Sequence, residues 1–302
     1  MPDGGFEVLA QSDDREAWLT MRKQLITASD VAAIMGRNPY KSALEVYTDK
    51  LGITDTEPTE AMEIGLRMEP VILDLYRDRT GRVAKPFQRL CRSKRWPWLG
   101  ATCDAYTVDE QRREIVLELK NASEYLAEHW EESIPPYYTP QIQTQIGVME
   151  AMAGSAGVIV GGNKFRWKDA DRDDMMIADI AIETKAFHVR LVNLTPPEPD
   201  GSESAQRALR AMFPTNEPGT SMLLPQEAID LDELILHAQA EKKRSEAREA
   251  EAKQAIQALM GVCEIGVLPG NRGAWKWATQ ERSGYTVQPS SSRVFRRLKR
   301  AP

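Results

Sequence analysis

The chain has 302 residues, 42% of them apolar and 28% charged, which fits a folded globular protein with one large α/β domain plus additions, or with two domains. No apolar run approaches the ~20 residues that span a bilayer, and the N-terminus lacks a basic-then-apolar leader, so membrane and exported proteins are set aside. A net charge of −6 counts against a uniformly basic nucleic-acid coat, yet the sign is uneven along the chain. Residues 85–95 carry Lys85, Arg89, Arg92, Lys94 and Arg95 with no acid, and the tail from Thr286 carries Arg293, Arg296, Arg297, Lys299 and Arg300. Such local clusters hold a polyanion whatever the global sum, or they are merely solvated surface.

Residues 1–15 are polar and read as an irregular lead-in. Glu16 to Leu25 reads as a helix. Thr27-Ala28-Ser29-Asp30 then offers capping chemistry for Val31–Met35, stopped by Gly36. Ser42 opens a helix through Lys50, ended by Gly52. Glu60 to Arg79 carries Met62, Leu66, Glu69, Ile72, Leu73 and Tyr76 at helical spacing, with Pro70 marking a kink or break. Strands follow from about 83 to 120, then a helix near Ser123–Ile134. A rigid bend at Pro135–Pro140 delivers a helix over Pro140–Met152, and Ala156–Gly161 and Phe187–Leu194 read as further strands. This order is α/β around a mixed sheet.

The composition changes at Thr195-Pro196-Pro197-Glu198-Pro199. The expected division is a core over 1–195, a Pro-rich linker over 196–222, and a long charged helix with a short β tail over 223–302. The helix, Leu223–Leu259, reads either as a coiled coil or protruding hairpin, or as a solvated amphipathic helix lying on the main domain. The β tail contains Trp275-Lys276-Trp277.

Chemistry concentrates between Glu69 and Lys120. Alternation puts Ile115, Leu117 and Leu119 on one strand face and Val116, Glu118 and Lys120 on the other. Asp104–Val108 reads as the hairpin partner across a polar turn at 109–113, which folds Asp104 back toward Glu118. An E-x-K pair alone is more often a surface ion pair. With Asp104 at hairpin distance and Glu69 upstream, the set suits Mg²⁺, which takes hard carboxylate oxygens and keeps positions for water and phosphate. Cys91, Cys103 and Cys263 show no metal spacing, and His129, His188 and His237 are scattered, so zinc and a disulfide framework are disfavoured and a reducing cytoplasm is expected.

Arg22-Lys23-Gln24-Leu25-Ile26-Thr27-Ala28-Ser29-Asp30, Gly36, Asn38-Pro39-Tyr40, Gly65-x-x-x-Glu69, Asp104, Glu118-Leu119-Lys120 and Tyr138-x-x-Gln141-x-x-x-Gln145 occur in that order. Together they resemble the YqaJ-type viral recombinase family, which is lambda-exonuclease-like and belongs to the PD-(D/E)xK nucleases. The resemblance covers roughly residues 15–195. It implies a restriction-endonuclease-like core and a 5′→3′ double-strand DNA exonuclease that leaves 3′ single strands for phage-type recombination in a bacterial cytoplasm. It implies Mg²⁺, replaceable by Mn²⁺, in a two-metal site. Asp104, Glu118 and the Leu119 carbonyl would be ligands, and Glu69 would serve the second metal or its water. Lys120 would orient or deprotonate the attacking water, and Gln141 or Gln145 would hold position near the metals. Arg22 and Ser29 would bind the DNA 5′-phosphate, and Met62 would stand at the place of an apolar wedge. A trimeric ring on DNA ends and a single-strand annealing partner are implied as well. Ala105 replaces the family's usual glycine after the aspartate.

Two other functions stand against this one. A same-fold nuclease acting on single strands or endonucleolytically is one, although its CRISPR-associated relatives use a four-cysteine iron–sulfur cluster that three cysteines cannot build. A catalytically inactive DNA-end-binding protein is the other, and the intact Glu69, Asp104, Glu118 and Lys120 count against it.

Overall fold

The computed structural model describes residues 5–11, 14–54 and 59–279. Strand β1 (Phe6–Gln11) is followed by helix α1 (Arg15–Gln24), β2 (Ile26–Thr27), α2 (Ala28–Ile34), α3 (Ala43–Lys50) and α4 (Glu60–Thr80). Five strands come next: β3 (Lys85–Pro86), β4 (Arg89–Ser93), β5 (Leu99–Ala101), β6 (Ala105–Val108) and β7 (Glu114–Ala122). Then come α5 (Thr139–Met149), β8 (Ala153–Val160), β9 (Lys164–Asp171), α6 (Asp174–Val192) and α7 (Glu203–Met212). Beyond them lie α8 (Glu227–Met260), β10 (Ile265–Val267) and β11 (Ala274–Lys276).

The chain divides into two compact units, Met1–Pro214 and Thr215–Pro302. The first holds a mixed five-stranded sheet in the order β3-β6-β7-β8-β9 and a four-stranded sheet in the order β1-β4-β5-β2, flanked by helices. β6 and β7 form the expected antiparallel hairpin, with Ala105 opposite Leu117, and β7 runs parallel to β8. Strand alternation sends β7's residues into two cores. Leu117 and Leu119 meet Ile72, Leu73 and Tyr76 of α4, whereas Val116 joins Ala156, Val158 and the Ile142 and Ile146 side chains of α5. A sheet covered on both faces explains why all eight residues of β8 are buried. Each fully buried Leu, Ile or Val contributes roughly 1.5–3 kcal/mol.

Helix ends follow their caps. Ser42 Oγ accepts the Glu45 N–H, and Thr59 Oγ1 accepts that of Met62. Thr27 and Asp30 form a reciprocal capping box at α2. Gly81, at φ 69°, closes α4 in the left-handed region.

Several sequence expectations are corrected. The lead-in contains β1, paired to β4. Pro70 neither breaks nor ends α4. The helix runs on through it, at a point where Leu66 is exposed and its carbonyl can turn to solvent. Residues 123–134 form two short 3-10 turns, Glu124–Leu126 and Glu128–Trp130, rather than a helix. Phe187–Leu194 lies mostly within α6 and is not a strand; Ile177, Ile180, Ala181, Thr184 and Phe187 are buried at helical spacing. Residues 203–212 of the expected linker form α7, whose Ser204 hydroxyl donates to Glu45 of α3 and accepts the Ser42 N–H. The first unit therefore ends at 214 rather than at 195. In the second unit, β10 and β11 form the expected β region, while the tail arginines from Arg293 on lie outside the described residues. Among the described residues, no helix is long and apolar enough to cross a membrane.

Candidate active site

A cavity of about 660 Å³ opens where α1, α2, α4, β7 and α5 converge. Its lining includes Glu69, Asp104, Glu118, Lys120 and Gln141, together with Arg22, Ser29 and Met62. The parallel pairing of β2 with β5 sets the start of α2 beside the segment that continues into Asp104. Period two on β7 delivers Glu118 and Lys120 to α5's side of the sheet.

Glu118 is the hub. It is buried, and its Oε1 accepts Lys120 Nζ at 2.5 Å and Gln141 Nε2 at 2.6 Å. Its Oε2 accepts Gln145 Nε2 at 2.5 Å. Gln141 and Gln145, one helical turn apart on α5, thus grip both oxygens of one carboxylate. Gln145 also donates to the Thr102 carbonyl, and its own Oε1 has no hydrogen-bond partner. Asp104 Oδ2 accepts the Leu119 backbone N–H at 2.6 Å, which locks the hairpin and turns the Asp104 carboxylate toward Glu118's strand.

The electrostatics are those of crowded carboxylates. Burial, then the negative charges of Glu118 and Glu69, push the Asp104 carboxyl well above its usual range. Glu69 is raised by burial and by Glu118, against a hydrogen bond from Gln88 Nε2 at 2.8 Å. For Lys120, burial works to lower the pKa, but Glu118 and Asp104 outweigh it and hold the ammonium above its ordinary value. Its Nζ also lies 5.0 Å from the Tyr138 ring centre.

Among the described residues, no three Asp, Glu, His or Cys side chains stand close enough to form a ready-assembled metal cluster. Glu118 is engaged by Lys120 and two glutamines, and Glu69 by Gln88. The donor chemistry nevertheless suits a hard divalent cation: three carboxylates line one cavity, and two of them are destabilised partly by like charge.

At the far wall, Arg22 Nη2 donates to Ser29 Oγ at 2.8 Å, and the guanidinium lies 5.0 Å from the Trp18 ring centre. Behind them, Asp30 is buried and ion-paired to Lys50 at 2.7 Å. Burial opposes its ionisation, but Lys50, Arg22 and Lys41 hold the carboxyl well below the usual range. Lys50 is itself drawn down by burial, so the pair persists through the bonds Asp30 collects, including those from Thr27 N and Oγ1. Lys50 also donates to the Arg22 carbonyl, tying α1's end to α3.

Sequence reading missed Trp18, Gln88, Thr102 and the Asp30–Lys50 pair. Gln88 gives no signal in the sequence; its left-handed backbone, at φ 34°, shows only in the structure. Of the basic cluster, Arg92 pairs with Glu7, while Arg89 and Arg95 lie over the rings of Phe87 and Trp96.

Residues 17–154 match the family described as YqaJ-like viral recombinase domain. That match spans a little under half of the chain. Arg22, Ser29, Glu69, Asp104, Glu118, Lys120, Gln141 and Gln145 all fall within it. The chain is also 29% identical over 288 residues to the uncharacterized protein YqaJ of Bacillus subtilis strain 168, covering 91% of this chain and 88% of that one. Among solved structures it is similar to an alkaline exonuclease from Laribacter hongkongensis, with 22% identity, 66% of this chain and 100% of that chain covered, and a TM-score of 0.49. A phage related exonuclease from Haemophilus somnus 129PT is similar at 12% identity, covering 59% and 99%, with a TM-score of 0.45.

Proposed function

We propose that the chain is a metal-dependent deoxyribonuclease that digests duplex DNA from 5′ ends and leaves 3′ single strands for recombination. The observation that carries this reading is a shared cavity: the Arg22–Ser29 pair and the Glu69/Asp104/Glu118/Lys120 set line the same space. The viral recombinase domain that encloses them supports the recombination context.

Asp104, Glu118 and the Leu119 carbonyl would hold Mg²⁺ or Mn²⁺, with Glu69 serving a second ion or its water. When bound, such ions neutralise charge at a scissile phosphate and acidify a water. The chain's own residues do the rest. Gln141 and Gln145 fix the Glu118 carboxylate. Lys120, facing the same cavity, would orient or deprotonate the attacking water or meet developing negative charge. Arg22 can fork two hydrogen bonds onto a terminal phosphate, and Ser29, exposed in the first turn of α2, adds a neutral donor. Met62, more than half exposed at the cavity's edge, stands where it could part the terminal base pair. The working form would be a closed homo-oligomer of three subunits on a DNA end, passing its 3′ strand to an annealing protein, with the Lys85–Arg95 cluster lining the channel.

Digestion of a linear duplex labelled at its 5′ or its 3′ end, with and without a 5′-phosphate, tests the reading. Early release of 5′ label that requires Mg²⁺ and is favoured by the 5′-phosphate is expected. Early release of 3′ label, or internal nicking, contradicts the polarity.

A further inference from the structure

Beside the active-site cavity lies a smaller one of about 210 Å³, lined by Asn38, Tyr40, Tyr137 and Tyr138 and sharing Ser29 and Gln141 with its neighbour. No charged side chain lines it. The packing of the core accounts for Tyr138, whose ring tilts against Trp130 at 5.6 Å and lies 5.0 Å from Lys120 Nζ. It does not account for Tyr40, which is 61% exposed on the loop between α2 and α3. The backbone of Tyr40 is nevertheless fixed, because Asn38 Oδ1 accepts its N–H at 2.8 Å and that of Lys41 at 3.1 Å. On the other wall, the bend that begins at Pro135 sets Tyr137, and the Tyr138 N–H closes it by donating to the Pro135 carbonyl at 2.8 Å. The rings of Tyr40 and Tyr137 stand 6.1 Å apart at 86°.

Two perpendicular rings form a corner in which a third flat ring can stack on one and meet the edge of the other. An enclosed cavity of about 150 Å³ holds a benzene, so this one has room for a single nucleobase but not for a base pair. Aromatic walls with a few amide and hydroxyl groups suit a neutral base, whereas a phosphate would find no cation there. Burial first, then Tyr138 and Tyr40, push the Tyr137 phenol up to about 12, so at neutral pH it sets no negative charge against DNA. In the larger cavity, by contrast, the face of Trp18 is already covered by the Arg22 guanidinium at 5.0 Å. The position of the corner points the same way. Ser29 belongs to the place proposed for the 5′-phosphate, and Gln141 holds Glu118, where the scissile phosphate would lie. One nucleotide joins those two phosphates, and the corner opens between the residues that mark its ends.

We propose that Tyr40 and Tyr137 form a stacking subsite for the base of the 5′-terminal nucleotide, the one that cleavage releases. The proposal rests on the nuclease reading above and adds to it a hold on the base besides the hold on the phosphates. Stacking accepts any base, because every base has a π-face, so the subsite reads the presence of a base and not its identity.

The test titrates the full chain with deoxyguanosine 5′-monophosphate and with 2-deoxyribose 5-phosphate, which lacks the base. The parent is expected to bind the nucleotide at least about 5-fold more tightly. Tyr40→Ala and Tyr137→Ala should each bind the two probes alike. Tyr40→Phe, which keeps the ring, should retain the difference, and so should Tyr125→Ala, at an exposed tyrosine outside the pocket. In digestion, a 5′-phosphorylated duplex with an abasic terminal residue should show a KM raised by a similar factor for the parent, with no such difference for Tyr40→Ala. Discrimination in binding without any cleavage would support the subsite while overturning the nuclease reading. Cleavage by a parent that binds both probes equally, or discrimination that survives both alanine variants, would overturn the subsite alone.

Discussion

Asp104 is the residue at which stability and chemistry pull apart. Its carboxylate is crowded by Glu118 and Glu69, so its ionised form costs folding free energy at neutral pH. Asp104→Asn keeps an oxygen for the Leu119 N–H and removes the repulsion. It should melt higher than the parent in EDTA, and it should lose the upward shift in melting that Mg²⁺ gives the parent. Differential scanning fluorimetry with and without Mg²⁺ reads both effects. A parent whose melting ignores Mg²⁺ and Mn²⁺ would remove the metal from the account. Asp30 behaves oppositely. Its folded pKa lies below the unfolded value near 3.9, so its contribution is complete above that value and is lost as pH falls toward the folded pKa. Asp30→Asn should therefore flatten the fall of stability below about pH 4. Lys50→Met leaves a buried carboxylate unpaired and should cost about 3–5 kcal/mol by urea unfolding at pH 7. At the cavity wall, Arg22→Ala should erase any preference for 5′-phosphorylated over 5′-hydroxyl ends. Retention of that preference would place the phosphate site elsewhere.

At the scale of elements, α5 sets the position of the Glu118 carboxylate on β7. Gly154 of β8 allows it: a Cβ there would meet Ile142 Cγ2 at 2.4 Å and Ile146 Cδ1 at 3.2 Å. Ile142 and Ile146 neighbour Gln141 and Gln145, so Gly154→Ala should push the glutamines off Glu118. The expected cost is about 1–3 kcal/mol of stability, together with reduced cleavage, and unchanged values for both would refute the coupling. The β6–β7 hairpin and its E-x-K face were legible because alternation and a polar turn are local signals. The gap between β8 and α6 was not. Lys164–Asp171 makes β9, an edge strand whose alternation shows over Lys164–Lys168 and is broken after it by Asp169. In Phe187-His188-Val189-Arg190-Leu191, the apolar residues fit period two over five positions, yet the helical spacing from Ile177 to Phe187 is what buries the element. The prolines around 196–199 masked Ser202, which caps α7. Gln88 could not be read at all, because its partner Glu69 comes close only through the tertiary fold.

At the scale of the molecule, the site lies wholly in the first unit, and the chain's net charge of −6 says little about it. A chain ending at Pro214 should still fold, with a cooperative thermal transition, and keep its cleavage of short duplexes, since α7 closes the first unit onto α3. Loss of folding on that truncation would show that the boundary is not a real one. The central claim is that Glu118, gripped by Lys120, Gln141 and Gln145, is the hub of a metal-dependent nuclease site. Cleavage of a 5′-phosphorylated linear duplex in Mg²⁺, measured for the parent and for Glu118→Gln, tests it most directly. Glutamine keeps the side chain's size but not its charge. The account predicts metal-dependent digestion by the parent, abolished by EDTA, and a loss of at least about 10²-fold in the variant with DNA binding retained. Digestion by Glu118→Gln near the parent rate would contradict it.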